Sequence, residues 1–248
     1  GNVNVNGNSY VGAITGQATN TIASSYTSGN ININGSGYVG GLAGYINSSV
    51  RNSFVQDVNV TSSSGKAGGF TGVFGSAASY DKISIKGTIN VSGSNCIGGY
   101  VGSSDISLSN LNANVTGTVK ATSGYVGGIA GSIKSSSTIS NCNATMSITG
   151  SGGNYVGGIV GYANSATISQ SSYNGTITAT GTSSVGGIAG VSASVITNCT
   201  ASGMINASGS SSSIGGIIGS MSNGNVNNCN SNMNINNSGT GNYIGGLI

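Results

Sequence analysis

Histidine, glutamate, proline and tryptophan are all missing from this sequence. Each absence removes a class of chemistry or architecture. Without histidine there is no Ser-His-Asp relay and no imidazole metal ligand. The only acids are Asp57, Asp81 and Asp105. Polysaccharide-cleaving sites need clustered carboxylates, or carboxylates with calcium and a basic residue. Glycine-rich calcium coils need an Asp in every repeat. No Cys-x-x-Cys spacing occurs among the four cysteines, so a structural zinc site has no support. Neither catalysis, nor a metal, nor a cofactor is expected of this chain. Asp81 beside Lys82 reads as a solvated surface pair.

Charge is equally scarce. Only 4% of residues are charged, against about 25% in an ordinary soluble domain. The six basic residues are Arg51, Lys66, Lys82, Lys86, Lys120 and Lys134, all in the middle of the chain. They form no dense stripe able to release counterions, so nucleic acid is not an expected partner. No run of about 18 apolar residues exists, so no membrane-spanning helix is expected. Residues 1–30 carry no basic start followed by an apolar block, so no signal peptide is expected within them. Collagen is excluded by the lack of proline and of a G-X-Y period.

Ser, Thr, Asn and 46 glycines fill the space left by charge. Val, Ile and Thr are abundant, and they favour pleated strands. The chain reads as all-β. A glycine-rich phrase returns along its whole length: YVGAITG from Tyr10, YVGGLAG from Tyr38, YVGGIAG from Tyr125, YVGGIVG from Tyr155, SVGGIAG from Ser184 and SIGGIIG from Ser213. Anchored on the first apolar residue, the copies fall at Val11, Val39, Ala67, Ile97, Val126, Val156, Val185, Ile214 and Ile244. The spacings are 28, 28, 30, 29, 30, 29, 29 and 30 residues. A fixed period of this size means stacked units, none able to bury its apolar face alone.

Each period carries two further apolar islands. One is NININ at Asn30, TINVS at Thr88, MSITG at Met146, TITAT at Thr176 and NMNIN at Asn232, whose alternation marks a strand with one buried face. The other is SVRNS at Ser49, LSNL at Leu108, TISNC at Thr138, VITNC at Val195 and NVNNC at Asn225. Gly, Ser and Asn clusters between them are turn material. We therefore expect a parallel β-helix, or β-solenoid. Residues 1–248 would form one array of about nine coils of ~29 residues, with three short strands per coil. At about 4.8 Å per coil the rod would be roughly 40 Å long. Equivalent residues then lie over one another, and stacked like charges repel, which accounts for the low charge. Proline would remove a ladder donor from a strand with neighbours on both sides. A propeller is the rival, but its blades need about 40–50 residues.

The double glycine could cradle phosphate, but that needs a following helix and a Lys or Ser/Thr pair, and neither is present. Close approach of backbones is the expected role. The parity of YVGGIAG sets Val126 and Ile129 on opposite faces of a regular strand. Either a bulge at the glycines brings them to one side, the arrangement we favour, or the sheet is covered on both faces. In the second case an outer apolar stripe from Ile14 to Leu247 would be a docking surface. Tyr10, Tyr38, Tyr125, Tyr155 and Tyr243 share one slot, interrupted by Lys66, Cys96, Ser184 and Ser213. They form either an aromatic stack between coils or a ligand or partner contact. Asn52, Asn110, Asn141, Asn198 and Asn228 should form a ladder at a coil corner. Cys142, Cys199 and Cys229 share an inward slot with Ser25, Ser53, Ile83, Leu111 and Ser171. Free thiols are expected there, although Cys199 and Cys229 lie in adjacent coils where a bridge is conceivable.

The GGIAG, GGLAG and GGIVG phrases resemble the GLUG motif, found in large surface-exposed and secreted bacterial proteins, including adhesin-like chains. The resemblance covers nearly the whole chain. Gly69-Phe70-Thr71-Gly72 and Gly99-Tyr100-Val101-Gly102 depart from it in side chain, which implies altered packing there. It implies a secreted or cell-surface location and supplies no catalytic residues. The expectation is a non-catalytic stalk or filament segment of adhesin type, partnered by copies of itself or by flanking repeats. The alternative is a binding module whose tyrosines or apolar stripe engage glycan, host protein or a sister chain. Neither end of the chain carries a visible cap, which fits an internal section of a longer array or a self-assembling subunit. Ice binding needs an aligned T-x-T stripe, which Thr176 and Thr178 do not continue into the next coil.

Overall fold

The computed structural model describes residues 2–163 and 165–248. Among these no helix forms, and the strands pair in parallel, turn upon turn. Val126 pairs with Val156, and all nine anchors lie in one nine-stranded sheet running from Tyr10–Gly12 to Tyr243–Gly245. The chain is a β-solenoid, its nine phrases enclosing eight complete turns. One contiguous apolar core extends from Val11 to Ile218. Thr176 lies against Met204 and Thr178 against Asn206, so no threonine stripe continues there.

Each turn is more broken than its three islands suggest. The glycine phrase makes two strands, such as Tyr125–Gly127 and Ala130–Ile133, which belong to different sheets. Between them the chain turns a corner. The N–H groups of Ile129 and Ala130 both donate to the Ile159 carbonyl, at 3.0 and 3.1 Å. Ile159 and Val160 repeat this on Ile188, at 2.9 and 3.0 Å, and Ile188 and Ala189 on Ile217, at 2.8 and 3.1 Å. Two successive amides converging on one carbonyl cannot continue a pleat, so the side-chain alternation resets. Val126, Ile129 and Ala130 are all fully buried as a result.

The favoured arrangement, Val and Ile on one side, is the one found. Its device is a corner between two strands rather than a bulge within one. The outer apolar stripe is overturned: Leu42, Phe70, Ile129, Ile159, Ile188 and Ile217 have no exposed surface. Removing each such side chain from water contributes about 1.5–3 kcal/mol, which drives the corner inward. Only the end members Ile14 and Leu247 of that series stand exposed, at 46% and 45%.

The phrase glycines serve close approach. A Cβ on Gly72 would lie 2.6 Å from the Val39 nitrogen. On Gly161 it would lie 2.5 Å from the Val126 nitrogen, and on Gly190 2.6 Å from that of Val156. From the second phrase to the eighth, the last glycine thus seats one strand directly on the backbone of the preceding turn's anchor, and no side chain fits between.

A second corner divides the middle island. It bends through a left-handed residue in eight turns: Ser24, Asn52, Lys82, Asn110, Asn141, Gln170, Asn198 and Asn228, with φ from 49° to 57°. All five asparagines expected at a corner are here. Of their side chains, Asn141 Nδ2 donates to Asn110 Oδ1 at 2.6 Å. A fuller amide ladder runs on the outer face of the alternating sheet, unforeseen in the sequence. Asn32 donates to Asn4 at 3.0 Å, Asn59 to Asn32 at 2.9 Å and Asn90 to Asn59 at 2.9 Å.

The cysteine slot is inward, and all four cysteines are free. Its Ser and Cys members share one hydrogen-bond pattern. Each side chain donates to the carbonyl two residues back: Ser53 to Arg51 at 2.9 Å, Ser171 to Ser169 at 2.8 Å, Cys199 to Thr197 at 3.3 Å. It also accepts the N–H of its counterpart one turn earlier: Ser53 from Ser25, Ser171 from Cys142, Cys229 from Cys199. Oxygen and sulfur both fill this role, which is why the slot alternates between them. At the two departing phrases, Phe70 and Tyr100 stack within the core at 5.7 Å.

Candidate functional site

The residue before each anchor has opposite parity to it and points away from the core. Tyr10 is 45% exposed and Tyr243 71%, while Tyr38, Tyr125 and Tyr155 are half-buried. The structure does not join the five into one ladder. Tyr10 and Tyr38 meet at 5.4 Å with planes tilted by 57°. Three turns on, Tyr125 and Tyr155 stack at 5.3 Å with planes only 10° apart. Tyr243 stands apart, paired in the ladder with Ser213.

Two further tyrosines complete the clusters. Tyr45 lies 5.9 Å from Tyr10 and 6.2 Å from Tyr38. Tyr162 stacks on Tyr125 at 4.8 Å and lies 5.8 Å from Tyr155. Both come from the strand after the glycine corner, Ala43–Ile46 and Val160–Ala163 respectively. The sequence carries a signal for them: YVGGLAGY at 38–45 and YVGGIVGY at 155–162 end in the same residue. Seeing that first and last tyrosine touch requires the corner, which folds the two strands together.

Between the clusters the aromatic slots hold other side chains. Lys66 and Cys96 replace the first tyrosine. Val73, Ser103 and Ser132 replace the second. Lys66 Nζ sits 5.5 Å over the Tyr38 ring, and Cys96 is buried. Beside this stretch lies an open groove of about 430 Å³, whose walls include Tyr125, Tyr162, Ser103, Ser132, Asp105 and Lys134. Ser132 Oγ donates to Ser103 Oγ at 3.1 Å. Burial pushes the Tyr125 hydroxyl up from its ordinary value, with Cys96, Tyr162 and Tyr155 adding to the shift. Tyr45 is raised by partial burial and then by the Asp105 carboxylate. Aromatic faces, one carboxylate, one ammonium and three serine hydroxyls therefore converge on one outward-facing depression. Among the described residues no group of three His, Cys, Asp or Glu side chains comes together to hold a metal.

Cys142, Cys199 and Tyr173 are sequestered in the core. Burial pushes Cys142 up to about 11 and Cys199 up to about 12. Tyr173 is fully buried, and its hydroxyl donates to the Met146 carbonyl at 3.1 Å. No family model matches this chain, and no curated protein or solved structure matches it.

Proposed function

We propose that this chain is a structural element, a stalk or filament segment of adhesin type, secreted or displayed at a cell surface and without a catalytic role. The observation that carries the reading is the stacking of eight turns on one core, with the anchor sheet, the sheet after the glycine corner and the alternating sheet each paired in parallel from end to end. Such a rod transmits position over its length with few loops for a protease to enter. The likeness of its phrases to GLUG-motif repeats supports the surface location. Its partners are copies of itself or flanking repeats of the same polypeptide.

The test is immunogold labelling of intact source cells with an antibody to residues 1–248, alongside protease shaving. Labelling of intact cells, lost after prolonged shaving, is the expected outcome. Labelling only after permeabilisation, with no antigen in the medium, would contradict the reading. A second reading, a module engaging glycan or host protein, is favoured by the outward tyrosine clusters.

A further inference from the structure

We infer that the break in the tyrosine series is itself a binding site, for a neutral oligosaccharide laid along the rod beside Tyr125. This deepens the second reading above and stands on local geometry, independently of where the chain resides.

In a stacked aromatic series each ring covers the face of the next. Tyr125 has Tyr155 and Tyr162 as its aromatic neighbours. On the other side its ladder partner is Cys96, whose short side chain is buried. The series stops there and the surface sinks, leaving the groove against Tyr125. A pyranose ring has a face of C–H bonds and an edge of hydroxyls. It needs an aromatic wall for the first and mixed donors and acceptors for the second. Here Asp105 accepts, Lys134 donates, and Ser103 and Ser132 do either. One carboxylate and one ammonium give the groove little net charge, which suits a neutral ligand better than a polyanion.

The aromatic wall is Tyr125 with Tyr162, both of the second cluster. From Ser103 through Ser132 to Tyr162 the groove spans two turns, about 10 Å at the spacing of paired strands. That span calls for a short chain of sugars rather than a single ring. Aromatic-lined grooves also take proline-rich peptides, but such a peptide leaves the Asp105 and Lys134 pair without a role.

The experiment is an array of short neutral and sialylated oligosaccharides probed with the 248-residue chain, then calorimetry with the best binder. A polyproline peptide serves as comparator. The expected result is a neutral oligosaccharide whose affinity falls about ten-fold or more in Tyr125→Ala and in Asp105→Asn. Tyr26→Ala, on a separate exposed stack with Phe54, leaves it unchanged. Circular dichroism reports whether Tyr125→Ala folds; if it does not, the exposed Asp105→Asn decides. Absence of neutral-sugar binding, affinity indifferent to Asp105→Asn, or binding of polyproline alone would overturn the site. None of these results bears on cell-surface labelling.

Discussion

Asn141 illustrates how single residues carry the geometry. Its φ of 52° is a left-handed conformation that costs most side chains about 1–2 kcal/mol. Asparagine tolerates it and glycine escapes the cost, whereas a β-branched residue pays it in full. Asn141→Val should therefore lower the free energy of unfolding by about 1–2 kcal/mol, with Asn141→Gly close to wild type, as read from denaturant titration. Cys142 makes a pH prediction. Burial holds its thiol neutral up to about pH 11. The unfolded thiol ionises earlier. This contribution is thus fully present below the ordinary thiol range and is lost as pH rises toward 11, at about 1.4 kcal/mol per unit. Serine already fills the slot at Ser53 and Ser171 with the same hydrogen bonds. Cys142→Ser should fold and should flatten that part of the alkaline stability profile. An identical profile for wild type and variant would remove the argument.

At the scale of the element, the glycine corner sets the cross-section of the turn. Its interior side is Ile129, fully buried, and its tight side is the glycine that seats against the preceding turn. Ile129→Ala should cost about 2–5 kcal/mol through lost burial and a cavity. Gly161→Ala should cost about 3 kcal/mol or more, since its methyl would meet main chain that cannot rotate away. Thermal unfolding of both variants checks the order. The period, the strand class and the inward anchors were legible in the sequence because they follow from spacing and alternation alone. The corner was only half legible: burial demanded that Val126 and Ile129 share a side, but the shared acceptor carbonyl at Ile159 is a contact with the next turn. For the same reason Tyr45 and Tyr162 stood in plain sight yet could not be joined to Tyr38 and Tyr125. Tyr173 was hidden more deeply. It occupies a slot held by Ala144 and Ala201 in the adjacent turns. Gly158 and Gly175 leave its ring room, and both lie outside that slot.

Over the whole molecule one geometric rule holds: every turn moves the chain one strand spacing along a single axis. That advance makes the rod, stacks the tyrosines, and turns a run of small residues into a groove. It is measurable on the outer column of the alternating sheet. There Asn34, Thr61, Ser92, Lys120, Thr149, Thr178, Asn206 and Asn236 are successive partners. Spin labels placed at Asn34 and, in turn, at the exposed positions Lys120, Thr178 and Asn236 lie three, five and seven turns apart. Pulsed electron resonance should give separations growing in even steps, about 14, 24 and 34 Å between backbone sites. Separations that fail to increase in that order, or that cluster at one value, would contradict the stacked coil.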